Sequence, residues 1–468
     1  MRKTLIAVAV ASVLAQGCAL MPRETFKEPT QASVESLEAN VKPVDVVIAI
    51  DWWTQFSDPQ LNALVEKALE ASPNMELAKL RVEGARQLVN AELAGLLPRI
   101  GATAQVNQQR LSQNYIYIPG MPVTTSYGLV GGTLNWSLDL WGRQKKMVDA
   151  AKEGVQAAHA DLAFTRLWLS ATVVQSYIEY DLAYQLAQLA QLEHAAREQL
   201  AEIATQRMAV GLADQSQVNQ RRVELEESAM TQAIALQAVK IAQHQLAALT
   251  NQGPSAGEAL QKPSISANRS KLPDVIPADL LARRADLQAL LAQIRAFKLR
   301  VDSARLAYLP DINLQGLIGL QAFDISRLFN SNSRQYNVGP ALNLPIFDGG
   351  AIAAQISGRE VERNQVIYTY QNALLNALKE SADGILRVKT AQSNFTLANQ
   401  LEERAAEVFD AAKQKRAAGI YADEQLQYAQ LQYLQAKKQW IDARRQDLAD
   451  GVNLVMVLGG PPDAKPAQ

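Results

Sequence analysis

The spacing of apolar positions along this chain switches between two periods, and it does so twice in the same order. From Ile100 the period is two: Ile100, Ala102, Ala104 and Val106 alternate with Thr103, Gln105 and Asn107. After a loop containing Pro119, Gly120 and Pro122, Val130, Leu134, Trp136 and Leu138 alternate with Thr133, Asn135 and Ser137. This predicts a β-hairpin over about 99–140 with one apolar and one polar face. The period then lengthens. Leu182, Leu186, Leu189, Ala196, Leu200, Ile203 and Val210 fall mostly at three- and four-residue steps or their sums, a heptad-like seam with alanines beside it. No proline occurs between Val123 and Gly253, although proline inside a helix costs about 3 kcal/mol. Gly211 breaks the seam with a residue suited to a helix C-terminus, so the run reads as a helical hairpin over about 142–250 with its tip near 211. At 1.5 Å per residue its first helix reaches roughly 100 Å, a length no globular domain needs.

The second half repeats this order. A helix over about 280–306 ends at Leu309-Pro310, as one over about 75–96 ends at Leu97-Pro98. Ile312, Leu314, Ile318 and Leu320 then alternate with Asn313, Gln315 and Gln321, and Tyr336, Val338, Leu342, Leu344 and Ile346 alternate with Gln335, Asn337 and Asn343, predicting a hairpin over about 311–347. A second proline-free helical hairpin, about 349–458, turns near Gly419, about 208 positions after Gly211. Each β-hairpin passes directly into its long helix, through Trp141-Gly142-Arg143 and through Gly349-Gly350, where glycines ease the bend. Strand pairs, helices and turns recurring in one order indicate an internal duplication. The expected division is a first repeat over 51–254, a proline-bearing linker over 255–277, a second repeat over 278–460 and a short tail, 461–468. Asp58 and Pro59 have the form of an N-cap and first helical residue after Asp51-Trp52-Trp53-Thr54-Gln55-Phe56-Ser57.

The amino terminus changes the picture. Residues 1–17 read as a secretory signal: Arg2 and Lys3, an apolar run too short to span a bilayer, then small residues. The sole cysteine, Cys18, stands where cleavage is expected, in Leu14-Ala15-Gln16-Gly17-Cys18. That run resembles a bacterial lipoprotein box, whose cysteine would be acylated and become the new amino terminus; an ordinary cleavage site beside a chance cysteine is the alternative. Residues 18–50, with Pro22, Pro29 and Pro43, read as an extended tether. Of the 468 residues 48% are hydrophobic and only 6% aromatic, an excess of alanine and leucine that suits closely packed long helices. A net charge of −1 argues against a nucleic-acid partner. His159, His194 and His244 are isolated without metal-ligand spacing, and there is no phosphate-binding loop, so neither enzyme chemistry, metal nor cofactor is indicated.

Four strands of 10 to 15 residues with one apolar face suit an outer-membrane barrel, and no segment after the signal is long and apolar enough for a transmembrane helix. Four strands cannot close, since about eight is the practical minimum, so several copies must share one barrel. The chain resembles the TolC family of outer-membrane efflux channels in its lipoprotein (NodT-type) branch. The resemblance is carried by Trp52-Trp53 with Phe56, Asp58 and Pro59; by Asp139-Leu140-Trp141-Gly142-Arg143; by Arg283-Arg284-Ala285-Asp286, where relatives usually have proline in place of Ala285; by Leu309-Pro310; and by the turns at Gly211 and Gly419. It implies a homotrimer forming a twelve-stranded outer-membrane barrel and a twelve-helix periplasmic α-barrel, with an equatorial belt around the linker. It implies also the role of exit duct in a tripartite pump, meeting a periplasmic adaptor (membrane fusion) protein that connects to an inner-membrane transporter of resistance-nodulation-division or major-facilitator type. Ala19 rather than aspartate after the cysteine favours the outer membrane in such lipoproteins.

Passage rather than chemistry is then the mechanism, and the periplasmic gate belongs at the turns, where Asp214, Tyr421, Asp423 and Glu424 lie. Threefold repetition would make acidic rings that attract cations and hold the tips together. Equally, Asp214 would serve as an N-cap with Gln217 completing a capping box, and Asp423 and Glu424 would favour their helix N-terminus. Relatives often carry aspartate nine and arginine twelve residues after the second glycine; Tyr428 and Leu431 stand there, so that gate ring is not carried over. Two other readings of the same pattern are a lipid-anchored periplasmic coiled-coil protein and a duct for protein secretion.

Overall fold

The computed structural model describes residues 24–33, 48–110, 112, 124–266, 281 and 283–460. The expected signal, Cys18, most of the expected tether, the loop with Pro119 and Pro122, much of the expected linker and the tail lie outside the described residues. The elements are α1 (Pro59–Ala71), α2 (Pro73–Ala94), β1 (Arg99–Arg110), β2 (Thr124–Ser137), α3 (Arg143–Ala209), α4 (Gln215–Leu249), a single helical turn at Pro254–Gly257, α5 (Ala285–Arg305), β3 (Asp311–Ala322), β4 (Arg334–Asn343), α6 (Ala351–Ala417) and α7 (Asp423–Val457). The duplication is metrical: α3 and α6 are each 67 residues long, α4 and α7 each 35.

The chain divides into two compact units. The first comprises the described residues of 1–31, 81–159 and 289–370. Its centre is one antiparallel sheet in the order β1-β2-β3-β4, so the two hairpins meet through β2 and β3. The register puts the apolar positions of all four strands on one face: Ile100 opposite Leu134, Val130 opposite Leu320, Ile318 opposite Tyr336 and Ile312 opposite Leu342. The other face carries Thr103, Gln105, Asn107, Thr133, Asn135, Gln315, Gln335 and Asn337, with Leu129 and Leu317 as apolar exceptions, and is uncharged throughout its middle. The apolar face is uncovered, with Ile100, Ile318 and Tyr336 between 70% and 83% exposed. β4 ends earlier than the alternation through Leu344 and Ile346 predicts; pairing stops at Asn343 because Pro345 has no N–H to continue a ladder.

At Gly131 opposite Gly319 the backbones of β2 and β3 nearly touch, for a Cβ on Gly319 would overlap the Val130 carbonyl oxygen and sit 2.6 Å from the Gly131 Cα. At the sheet's helix end, Trp136 donates its indole N–H to the Leu96 carbonyl (2.9 Å) and Trp141 donates to that of Pro310 (2.7 Å). These bonds fix the two Leu-Pro strand entries. Residues 24–28 lie along α6: the Thr25 and Phe26 N–H groups donate to Glu360 (3.1 and 3.0 Å), and Arg363 donates to Glu24 and the Phe26 carbonyl. Glu360 and Arg363 are both buried, so this strap satisfies charges that would otherwise be stranded.

The second unit comprises the described residues of 32–80, 160–288 and 371–468. Trp52, Trp53 and Phe56, in edge-on ring contacts 6.2 and 6.4 Å apart, pack with Leu61, Val65 and Ala68 of α1 against Val173, Val174 and Tyr177 of α3 and Val452 and Leu454 of α7. A smaller cluster joins Leu189 of α3 to Leu434 and Ile441 of α7, with Leu182 and Leu186 packed on it. The predicted seam therefore holds, except that Val210 is 70% exposed, because α3 has ended at Ala209 and the chain is already turning. Asp58 caps α1 as expected, accepting from the Gln60 and Leu61 N–H groups (2.9 and 3.3 Å). Its other oxygen accepts from the Tyr177 hydroxyl (2.8 Å) and from the Ser264 N–H (2.8 Å), which ties the linker's first residues to α1 and α3. Arg284 of the Arg283-Arg284-Ala285-Asp286 motif is buried, pairs with Asp286 and Glu380, and donates to the Val457 carbonyl at 2.9 Å, closing the C-terminus of α7.

Candidate functional site

The tip residues converge in the second unit. Both long helices end in the same motif: Leu212 N–H donates to the Arg207 carbonyl and Gly211 N–H to Met208, while Ile420 N–H donates to Lys415 and Gly419 N–H to Arg416. This six-to-one plus five-to-two pattern needs a left-handed residue at its corner, and Gly211 (φ +75°) and Gly419 (φ +72°) supply it. Asp214 accepts from the Gln217 N–H at 2.8 Å, the capping arrangement. The reciprocal half of a capping box is absent there among the described residues and present at the second tip, where Gln425 accepts from the Ala422 N–H at 2.6 Å.

The remaining acids at the tips are paired with arginines that the sequence pattern did not single out. Asp423 takes a two-pronged ion pair from Arg416, its Nη2 at 2.8 Å, which holds the carboxyl below its ordinary pKa. Glu424 pairs with Arg207, joining the end of α3 to the start of α7 and so one helical hairpin to the other. Tyr421 lies beneath the Lys415 ammonium, 4.9 Å from the ring centroid. At the two positions where the resemblance led to an expectation of charge, the Arg221 guanidinium stands 5.4 Å over the Tyr428 ring and Leu431 packs on the Leu189–Leu434 cluster. Arg221 and Arg197 share Glu224, each at 2.7 Å. The coil above the tips is thus held by apolar packing, a cation–π contact and ion pairs shared on Glu224.

The junction residues lie in the first unit. Gly142 (φ +73°), Gly349 (φ +66°) and Gly350 (φ +89°) form the bends, and Arg143 is the first residue of α3. Each bend is closed by an aspartate overlooked as a separate element: Asp139 accepts from the Gln144 and Lys145 N–H groups (2.8 and 2.9 Å), Asp348 from those of Gly350 and Ile352 (2.9 and 2.7 Å). Their signal was present, an aspartate a few residues before a helix in a glycine-bearing bend. Among the described residues no helix is long and apolar enough to cross a membrane, and no group of His, Cys, Asp and Glu could hold a metal.

The profile of the family described as "Outer membrane efflux protein" matches residues 64–252 and 276–460, once for each repeat. The fusaric acid resistance protein FusA of Burkholderia cepacia is 32% identical over 368 residues, 75% of this chain and 68% of that protein. The multidrug resistance outer membrane protein MdtP of Escherichia coli K12 is 29% identical over 495 residues, 99% of this chain and 98% of that one. Among solved structures, the outer membrane protein VceC of Vibrio cholerae superposes with a TM-score of 0.79 at 25% identity, covering 89% of this chain and all of that one. Two profile matches in one chain, on the two metrical repeats, make it a member of the outer membrane efflux protein family.

Proposed function

We propose that three copies of this chain assemble a single exit duct, twelve strands in the outer membrane and twelve helices in the periplasm, through which small toxic molecules leave the cell. One observation carries this reading: a four-stranded sheet whose apolar face is bare and whose β1 and β4 edges are unpaired. Such a sheet in lipid leaves a row of backbone groups unsatisfied, at several kcal/mol each, unless β4 of one copy meets β1 of the next. The helices support it. On α6 the exposed apolar residues Leu375, Leu386, Leu397 and Val408 recur at eleven-residue steps, and on α4 Val223, Met230, Ile234 and Ile241 form a second stripe. An eleven-residue repeat, about 3.67 residues per turn, favours a slight right-handed coiling over the left-handed supercoil of a heptad.

The relatives named for multidrug and fusaric acid resistance favour small organic cargo over protein export. A periplasmic adaptor would meet the tips and link the duct to an inner-membrane transporter of resistance-nodulation-division or major-facilitator type. An acylated Cys18 would add a lipid anchor. The gate in this reading is the tip cluster of Asp214, Tyr421, Asp423 and Glu424, with Arg207–Glu424 as the contact an adaptor loosens. That ion pair is half exposed, so it contributes about 0.5–1 kcal/mol, and Arg207→Ala should raise the open fraction in a planar bilayer about two- to fivefold. Single-channel recording of R207A with Glu424→Ala checks it. Unaltered gating in both would remove the gate assignment, and no conductance in any variant would remove the duct.

A further inference from the structure

At the helix end of the sheet, where β1 and β3 begin and β2 and β4 end, six exposed apolar residues form a collar: Leu97, Ile100, Leu140, Trp141, Ile346 and Phe347, the last 92% exposed. Such a belt at the ends of transmembrane strands marks the boundary between hydrocarbon and headgroups. Immediately beyond it a cleft of about 440 Å³ opens between the first junction, the end of α5 and the start of α6, walled by Leu140, Trp141 and Leu309 and lined by Arg143, Arg300 and Arg359. The carboxylates that also line it, Asp139, Asp311 and Glu92, keep their charge, and each accepts from neutral donors within the protein. Asp139 accepts from the Gln144 and Lys145 N–H groups, Asp311 from Ser137 (3.3 Å) and Asn313 (2.9 Å), and Glu92 from the Gln144 amide (2.7 Å). Arg359 is neutralised by Glu362 at 2.8 Å. Arg143 and Arg300 are not: among the described residues neither has an acid within ion-pair distance, and Arg300 only lies over the Phe297 ring, 4.8 Å away. Two guanidiniums without an ion-pair partner among the described residues therefore share a half-apolar cleft at headgroup depth.

We propose that this cleft binds the phosphate of a phospholipid in the periplasm-facing leaflet, Arg143 and Arg300 donating to its oxygens while Leu140 and Trp141 lie along the start of the acyl chains. Guanidinium forks match phosphate geometry, and unpaired guanidiniums at the edge of the hydrocarbon layer stand where a headgroup arrives without leaving its bilayer. The site would be repeated in each copy and pin the strand-to-helix bend to the membrane surface. It rests on the strands spanning the membrane, not on which molecules the duct carries.

The test is thermal unfolding of the purified assembly in uncharged detergent, titrated with dihexanoylphosphatidic acid, with dihexanoylphosphatidylcholine and with inorganic phosphate. The expected result is a saturable rise in midpoint with phosphatidic acid and with phosphatidylcholine, both of which present a phosphate on acyl chains, and none with inorganic phosphate; no rise with either lipid would overturn the proposal. In Arg143→Gln/Arg300→Gln the apparent affinity should fall about tenfold or more, the loss of one or more charge-assisted hydrogen bonds. Should the double variant fail to assemble, Arg300→Gln alone must show a weaker response, since it lies outside the junction bend. An equal response in the variants would overturn the proposal. A matching rise with inorganic phosphate would make the cleft a site for dissolved anions, which also overturns it. Channel conductance recorded on the same samples separates loss of this site from loss of the duct.

Discussion

Assemblies carrying Gly319→Ala will come apart in dodecyl sulfate at lower temperature than the parent protein, and most of the chain will be recovered as monomer. The methyl group has no room, since it would meet the Val130 carbonyl oxygen and lie 2.6 Å from the Gly131 Cα of the facing strand. Both are backbone atoms, so relief comes only by moving β2 away from β3. Overpacking of this kind costs about 1–3 kcal/mol, and each ladder bond stretched or lost adds about 1 kcal/mol. The penalty falls on the seam between the duplicated hairpins, where no turn holds the strands together, and repetition in each copy of an assembly multiplies it. Gly339→Ala is the control, for nothing lies within 4 Å of its added methyl. Indistinguishable melting of G319A and G339A on heated gels would show that the close approach is unimportant.

Asp58→Asn should cost about 3 kcal/mol or more at neutral pH, and the deficit should shrink in acid. Four residues direct donors at this one carboxylate: Gln60, Leu61, Tyr177 and Ser264, the serine by both its N–H and, at 3.2 Å, its hydroxyl. Burial raises the pKa of Asp58, but the bonds from Ser264, Tyr177, Leu61 and Gln60 together outweigh it and hold the carboxyl below its ordinary value. Tyr177 is displaced the other way, upward by its own burial and by the bond to Asp58, so it remains a donor. An asparagine must turn its amide hydrogens towards some of these donors. For a depressed carboxyl, stability is fully present above the unfolded-state pKa, about 3.9, and drains away as pH falls through the lower folded value. The parent should therefore lose midpoint temperature relative to D58N between neutrality and pH 3. A gap between the two proteins that is the same at pH 7 and pH 3 would contradict the assignment.

The periodicities made the elements legible because long helices and membrane strands are the structures in which a single period persists longest. The expected helix from Gly142 to Val210 became Arg143–Ala209, and the alternating strands fell on Arg99–Arg110 and Asp311–Ala322. Errors came where local chemistry interrupts the period: Pro345 ends β4 before Leu344 and Ile346, and Gly211 turns Val210 outward. The glycine turns were readable because a left-handed corner requires that residue type. Partners far apart in sequence were not readable. Nothing in Glu424 points to Arg207 as its partner, nor in Glu360 to the Thr25 and Phe26 amides that it accepts, since each contact depends on how separate helices are packed. Nor does either glycine of the Gly131–Gly319 pair reveal, from its own neighbours, that it faces another glycine.

All of this depends on one protomer offering four strands to a membrane that requires a closed ring. Native mass spectrometry of the detergent-released protein counts the copies directly. Three per particle, with β1 of one copy cross-linking to β4 of the next through paired cysteines, is the predicted result. A monomer that is soluble without detergent, its apolar strand face folded against its own chain, would contradict it.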